Sequence, residues 1–311
     1  MKYERKGTDK MMPHQKKYTV IKDPEYEYLR IDPIPSKEEV ERFYLEEFYT
    51  SKYKQFNDSS LEVQKEEKEF FDSRWQSVCD QCSEYFGKLD GLSVFDIGCG
   101  FAQALLYFRD RGMNVSGLEP SSEGVAYANS QGINVFHAGI EELNCAGSQR
   151  FDIVTIFDVL EHLRAPADTL TGIKENLLKP GGLLVIDVPN EFNDFQVAAN
   201  AEYNLNEWWV CPPNHINYFS VSSMKLLLGK CGYSVKYCES SFPIEIFMLM
   251  GDVYVGNSEL GKACHQKRVK FEYLMKKHGK SRKLSEFYQA LSDLDLGRQF
   301  VVYATPNKGA D

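Results

Sequence analysis

The sequence predicts an α/β fold built on a mostly parallel sheet, and three observations carry that prediction. Residues 94–100 read Val-Phe-Asp-Ile-Gly-Cys-Gly, a short apolar run delivered into a glycine turn, with a helix opening near Ala102. Nineteen residues after Gly100, a second apolar run ends on Glu119 in Gly-Leu-Glu-Pro. Apolar runs and amphipathic stretches then alternate as far as Val188, the pattern of parallel strands covered on both faces by crossover helices.

Taken in order, residues 1–22 are polar, basic and without periodicity, and read as a tail or loosely packed arm. Asp32-Pro-Ile-Pro-Ser36 leads into a helix capped by Ser36 with Glu39 three residues on, whose apolar face is Val40, Phe43, Tyr44 and Phe48. Tyr49, Tyr53 and Phe56 follow as lid or packing aromatics. A longer helix ends near Phe86, with Phe71, Trp75, Val78, Cys82 and Phe86 at helical spacing. Strands are expected over 94–97, 115–119, 134–137, 151–157 and 182–188, the last launched by Leu-Lys-Pro-Gly-Gly at 178–182. Another covers 233–239, and the final one, 299–304, is delayed by an insertion over 244–298. Helical spacing at 260–274 and 284–294 makes that insertion a helical subdomain, which shapes the substrate site, forms a homodimer contact, or both.

The glycine turn belongs to a nucleotide-cofactor site: glycines let the backbone pass close beneath a ligand, and an acid at the next strand's end can accept both ribose hydroxyls. A dinucleotide fingerprint would need Gly-x-Gly-x-x-Gly, but the third position is Gln103. Asp96, two residues before the first glycine, would repel a pyrophosphate and attract an ammonium or sulfonium centre. S-adenosylmethionine carries both cations.

At Asp96, Gly98 and Gly100, with Ala102 where a third glycine is common, the chain resembles the class I S-adenosylmethionine-dependent methyltransferases. The resemblance covers 92–189 and again 299–304. It implies a Rossmann-like seven-stranded sheet with the last strand antiparallel, a core over 89–243 and 299–306, and N-terminal helices within 1–88 covering the active site. It also implies that Asp96 works near the methionine end and that Glu119 holds the ribose. Gly139, Ile140 and Glu141 would contact the adenine, with Glu141 replacing a frequent Asp. Cys99, Pro120, Phe157 and Asp158 complete the cofactor-binding set.

Ligands of open parallel sheets lie beyond the carboxyl ends of the strands, so the acceptor side falls to 158–162, 189–196 and 208–218. On a helix, Asp158, Glu161 and His162 would stand at i, i+3 and i+4, on one side. Similar Glu-x-x-Glu-His sequences bind a divalent metal in ubiquinone-biosynthesis O-methyltransferases and in the enzyme that methylates small-RNA ends. By that resemblance Asp158, Glu161, His162 and His215 form a metal set; the same residues also read as base-catalytic or as packing groups. Asn190 and Asn193 sit in a dense polar loop suited to acceptor contact, and Trp208 and Trp209 offer flat faces for a sugar or aromatic ring. His215 is the first choice of general base, because an unperturbed imidazole titrates at about 6.5, and Tyr218 is placed to assist it. The stretch 188–218 with the insertion is similar to bacterial methyltransferases of surface-polysaccharide or sugar biosynthesis. The resemblance therefore implies O-methylation of a small molecule, a sugar or glycan precursor. Two alternatives remain open: an RNA 2′-O-methyltransferase with a metal site, and a noncatalytic cofactor-binding partner subunit.

Composition narrows the partners. A net charge of −9 over 311 residues opposes long nucleic acid as a ligand, although residues 262–283 hold nine Lys or Arg against one acid, Glu272, a solvated face or an attractor of phosphorylated substrate. No apolar run approaches the roughly 20 residues of a membrane span, and the start Lys-Tyr-Glu-Arg-Lys lacks a signal region, so a cytosolic location is expected. Eight cysteines without a framework suit a reducing compartment. Cys79-x-x-Cys82 has no second pair to complete a zinc site and falls within a helical pattern.

Overall fold

The computed structural model describes residues 2–3, 17–43, 61–140 and 142–307. Glu141, Tyr44, Phe48, Tyr49, Tyr53 and Phe56 lie outside them.

Seven strands form the main sheet: β4 (Ser93–Ile97), β5 (Asn114–Glu119), β6 (Asn134–His137), β7 (Phe151–Phe157), β8 (Leu178–Pro189), β10 (Tyr233–Ser240) and β11 (Gln299–Pro306). Their order is β10-β11-β8-β7-β4-β5-β6. β11 runs antiparallel to both neighbours, and the ladders joining β8, β7, β4, β5 and β6 are parallel. This is the expected Rossmann-like architecture. The central strands read as continuous apolar runs because both faces are covered. On one side, Leu105 and Phe108 of helix Gln103–Arg109 and Phe71, Trp75 and Val78 of helix Lys68–Phe86 pack with Ile153 and Val185. On the other, Leu170 and Ile173 of helix Pro166–Asn176 and Met224 and Leu227 of helix Val221–Lys230 pack with Phe95, Ile156 and Ile186. The chain winds outward from β4 through β5 to β6, then crosses to β7 and β8. The carboxyl ends of β4 and β7 therefore flank the crevice where the winding reverses, the place such sheets bind ligands.

The N-terminal region departs from expectation. β2 (Thr19–Lys22) and β3 (Leu29–Asp32) join β1 (Lys2–Tyr3) and β9 (Asn217–Tyr218) in an antiparallel four-stranded sheet, order β1-β2-β3-β9. Residues 19–22 are thus not part of a loose arm: Val20 is fully buried with Tyr18, Ile31, Trp209, Ile216 and Tyr218. β2 pairs with the neighbouring β3, but the side chains that bury it, Trp209, Ile216 and Tyr218, lie far along the chain, so its burial is not announced locally. The helix after Ser36 is present as Lys37–Phe43 among the described residues.

Between β10 and β11 stand helices Ser258–Lys277 and Ser281–Asp293. Leu284, Tyr288 and Leu291 of the second pack against Phe242 and Phe271. Cys79 and Cys82 are buried in the apolar layer beside β4, and burial pushes the Cys79 thiol up to about 12. None of the described helices is long and apolar enough to cross a membrane.

Candidate active site

A cavity of about 1330 Å³ runs from the glycine turn, past the ends of β4 and β7, to the loop bearing Trp208 and His215 and to the first helix of the insertion. Gly98, at φ +73°, needs the freedom of glycine, and a Cβ there would lie 2.6 Å from Val159 Cγ2. Gly124 is required by close approach: its Cβ would stand 2.6 Å from the Gly100 carbonyl oxygen and 3.1 Å from Glu119 Cγ. Ala102 adopts φ +55° as the residue preceding helix Gln103–Arg109, so the third glycine of the resemblance falls on a position where the backbone does favour glycine.

Two buried carboxylates face this turn. Asp96, 3% exposed, accepts a 2.6 Å hydrogen bond from Thr155 Oγ1, and burial pushes its carboxyl up to about 7 against that bond. Glu119 accepts from the Gly100 and Ser121 amides, each at 2.8 Å, tying β5 to the turn; burial raises its carboxyl against those two bonds. Gly98, Cys99, Gly100, Pro120, Gly139, Ile140, Phe157 and Asp158 all line the cavity. So does Glu142, which accepts from the Gly139 amide at 3.2 Å. Replacing Gly124 by Ala is expected to distort the turn, costing about 1–3 kcal/mol of stability and lowering S-adenosylhomocysteine affinity about tenfold. Thermal unfolding and calorimetric titration would read both. Unchanged affinity in the Gly124→Ala protein would show that the turn's shape is not what the ligand requires.

The helical register expected at 158–162 is not formed. Asp158 has φ +55°, and only Leu160–His162 closes, as a 3₁₀ turn. Asp158 consequently leaves the proposed metal set: its Oδ2 accepts from Arg74 Nη2 at 2.8 Å and its Oδ1 from Gln299 Nε2 at 2.8 Å. Arg74 also donates through Nε to Asp187 Oδ2 at 2.6 Å, at the end of β8. Glu161, His162 and His215 do come together, one ligand atom of each lying within 4.8 Å of the others.

Within that trio the charges separate. His162 Nδ1 is 2.8 Å from the Asn214 carbonyl oxygen, which can only accept, so Nδ1 carries the hydrogen and Nε2 the lone pair. Burial, then the charge of His215, pushes His162 down to about 4. Burial opposes charge on His215 too, but Cys211 and the Glu191 carboxylate, whose Oε2 is 3.6 Å from Nδ1, hold it well above 6.5. Glu161, fully enclosed, is pushed up to about 8 by burial against the pull of His215. His162, rather than His215, thus presents a neutral imidazole to the cavity.

Four other sequence-based assignments change. Asn190 is fully buried and donates to the Asp295 and Gly297 carbonyls; Asn193 caps helix Asp194–Tyr203 by accepting from the Phe195 and Gln196 amides. Their polarity satisfies the chain itself. Trp209 is 2% exposed inside the small sheet's core, and Tyr218, equally buried, donates to the His215 carbonyl at 3.0 Å. Trp208, in contrast, lines the cavity with Asn214 and His215. Sequence reasoning missed Arg74, Glu142, Gln299 and Arg298. Arg74 had a legible signal, a cation at the i+3 position of the apolar stripe running from Phe71 to Trp75 and Val78.

A model of the methyltransferase domain family matches residues 68–237. This chain belongs to the class I S-adenosylmethionine-dependent methyltransferases. The ubiquinone biosynthesis O-methyltransferase of Aromatoleum aromaticum is 34% identical to this chain over 125 residues, 38% of this chain and 53% of that protein. The tRNA U34 carboxymethyltransferase of Pseudoalteromonas translucida is 27% identical over 175 residues, 52% of this chain and 51% of that one. The chain therefore spans about half the length of these curated relatives. Among solved structures, the plantazolicin methyltransferase BamL, in complex with a triazolic desmethylPZN analog and SAH, aligns at a TM-score of 0.53. It is 18% identical, and the alignment covers 86% of this chain and 94% of BamL, a likeness of fold.

Proposed function

We propose that the protein transfers a methyl group from S-adenosylmethionine to a hydroxyl of a small-molecule acceptor, a sugar or glycan precursor. The carrying observation is one continuous cavity joining the Asp96–Glu119 glycine cradle to His162, Glu161 and Trp208. The donor set suits the cofactor: buried carboxylates at Asp96 and Glu119 match its cationic end and its ribose diol. Held by Asp96 and Glu119, the cofactor would supply an electrophilic methyl carbon. The protein aligns the acceptor oxygen, excludes water and receives the hydroxyl proton. His162 Nε2 is the proton acceptor this geometry favours, its tautomer held by Asn214. Trp208 offers an indole to stack on a sugar ring.

Incubation with methyl-labelled S-adenosylmethionine and a panel of nucleotide-linked and lipid-linked sugars, read by mass spectrometry, is expected to show label on oxygen. Label on no sugar while another acceptor class is methylated would overturn the sugar reading. His162→Gln is expected to lower kcat about 100-fold or more, with S-adenosylhomocysteine affinity unchanged; full turnover in that variant would remove His162 from the chemistry.

A divalent metal is the second reading, favoured by Glu161 Oε2, a buried oxygen with no hydrogen-bond partner, in the same trio. Glu161, His162 and His215 would hold it. Activity that survives exhaustive chelation would exclude it. The RNA alternative draws on the tRNA-modifying relatives and is opposed by the charge of −9. Cofactor binding with no transfer to any cell extract would favour the noncatalytic alternative.

A further inference from the structure

The cavity is also lined by Arg298, just before β11, and by Tyr254 and Arg268 from the insertion. These residues come from segments that the cofactor cradle does not use. Arg268 is 9% exposed, with its guanidinium carbon 4.6 Å from the centre of the Phe70 ring, so an aromatic face holds the cation in place. Arg298 is held from behind. Its Nη1 is buried and makes no hydrogen bond, standing 3.8 Å from Oε1 of Glu245, a fully buried carboxylate. The Arg298 side chain, 28% exposed as a whole, lines the cavity. Burial raises the Tyr254 phenol, so the hydroxyl stays protonated and able to donate.

We propose that Arg298, Arg268 and Tyr254 form a subsite for an oxyanion, a phosphate or carboxylate group carried by the methyl acceptor. Arg298 and Arg268 both line the cavity, and the carboxylate nearest in the structure to Arg298, that of Glu245, is fully buried and not part of the cavity wall. Guanidinium groups recognise carboxylate and phosphate through paired N–H bonds, and in a partly dehydrated cleft each such bond is stronger than in water. The inference rests on the methyltransferase reading and narrows its acceptor class. An anionic handle bound here would leave the acceptor's hydroxyl on the side of Trp208 and His162, within the same cavity.

The test titrates the full chain, saturated with S-adenosylhomocysteine to block the cofactor cradle, with inorganic phosphate and separately with acetate at constant ionic strength. Tryptophan fluorescence, through Trp208, and calorimetry read binding. Saturable binding of either ion is expected, and the tighter of the two identifies the group. Arg298→Gln and Arg268→Gln are each expected to weaken it at least about tenfold, Arg298→Lys less, with S-adenosylhomocysteine affinity unchanged as the check on folding. Neither ion binding saturably to the unaltered protein, or undiminished binding in both Gln variants, would overturn the subsite. Failure of S-adenosylhomocysteine itself to bind would instead strike the methyltransferase reading.

Discussion

Asp96→Asn is expected to make the ligand-free protein more stable at pH 8 while weakening its hold on S-adenosylmethionine. Burial raises the Asp96 carboxyl to about 7, against about 3.9 for an unperturbed Asp, so ionising it in the fold costs on the order of 4 kcal/mol at most. The sign follows from the raised value: the group's contribution to stability is complete below pH 4 and lost as pH rises through 7. Asparagine avoids that loss and still accepts the Thr155 hydrogen bond. The variant's advantage in Tm is therefore largest at pH 8, several degrees at about 2 °C per kcal/mol, and shrinks toward pH 5. Affinity moves the other way. Loss of the carboxylate should cost S-adenosylmethionine about 30-fold, and S-adenosylhomocysteine less, because it lacks the sulfonium charge. The wild type's affinity for the charged cofactor should rise between pH 6 and 8 as Asp96 ionises, and the variant's should stay flat. Equal binding of both cofactors by wild type and variant at every pH would refute a cation-facing Asp96.

Arg74→Leu should cause the largest loss of stability, about 3–5 kcal/mol, because removing one member of a buried ion pair strands the others. Arg74 bridges Asp187, 2% exposed, and Asp158. Burial already pushes Asp187 up to about 7 despite Arg74, and its Oδ1 makes no hydrogen bond. Without Arg74 the value rises further, so the variant's deficit should grow as pH increases from 6 to 8. Arg74→Leu combined with Asp187→Asn should recover part of the loss and most of the pH dependence. Chemical denaturation of the four proteins of this cycle measures the coupling; additive losses would mean that the bridge contributes nothing.

The strand-turn-helix unit proposed to hold the cofactor was readable because its signals are contiguous. Asp96, Gly98 and Gly100 sit on one strand-turn-helix unit, and Glu119 ends the next strand, so a few neighbouring residues specify the cradle. The acceptor half was legible by region but not by role. Asn190, Asn193, Trp209 and Tyr218 have the polarity or rings expected of contact residues, yet each is consumed by the protein's own caps, carbonyls or core. Asp158 was placed with Glu161 and His162 on the assumption of helical spacing, and a single left-handed residue turned it toward Arg74 instead.

The sequence alone therefore indicated the alternating strands of the main sheet and the glycine turn after β4, since hydrophobic periodicity and glycine placement act over a few adjacent residues. Only the tertiary structure decided which histidine is neutral, which carboxylates are bridged, and which arginines reach the cavity. Those properties depend on burial and on the direction of side chains from segments far apart in the chain: β3 beside β9, Arg74 beside β8, and Arg268 of the insertion sharing a wall with Arg298.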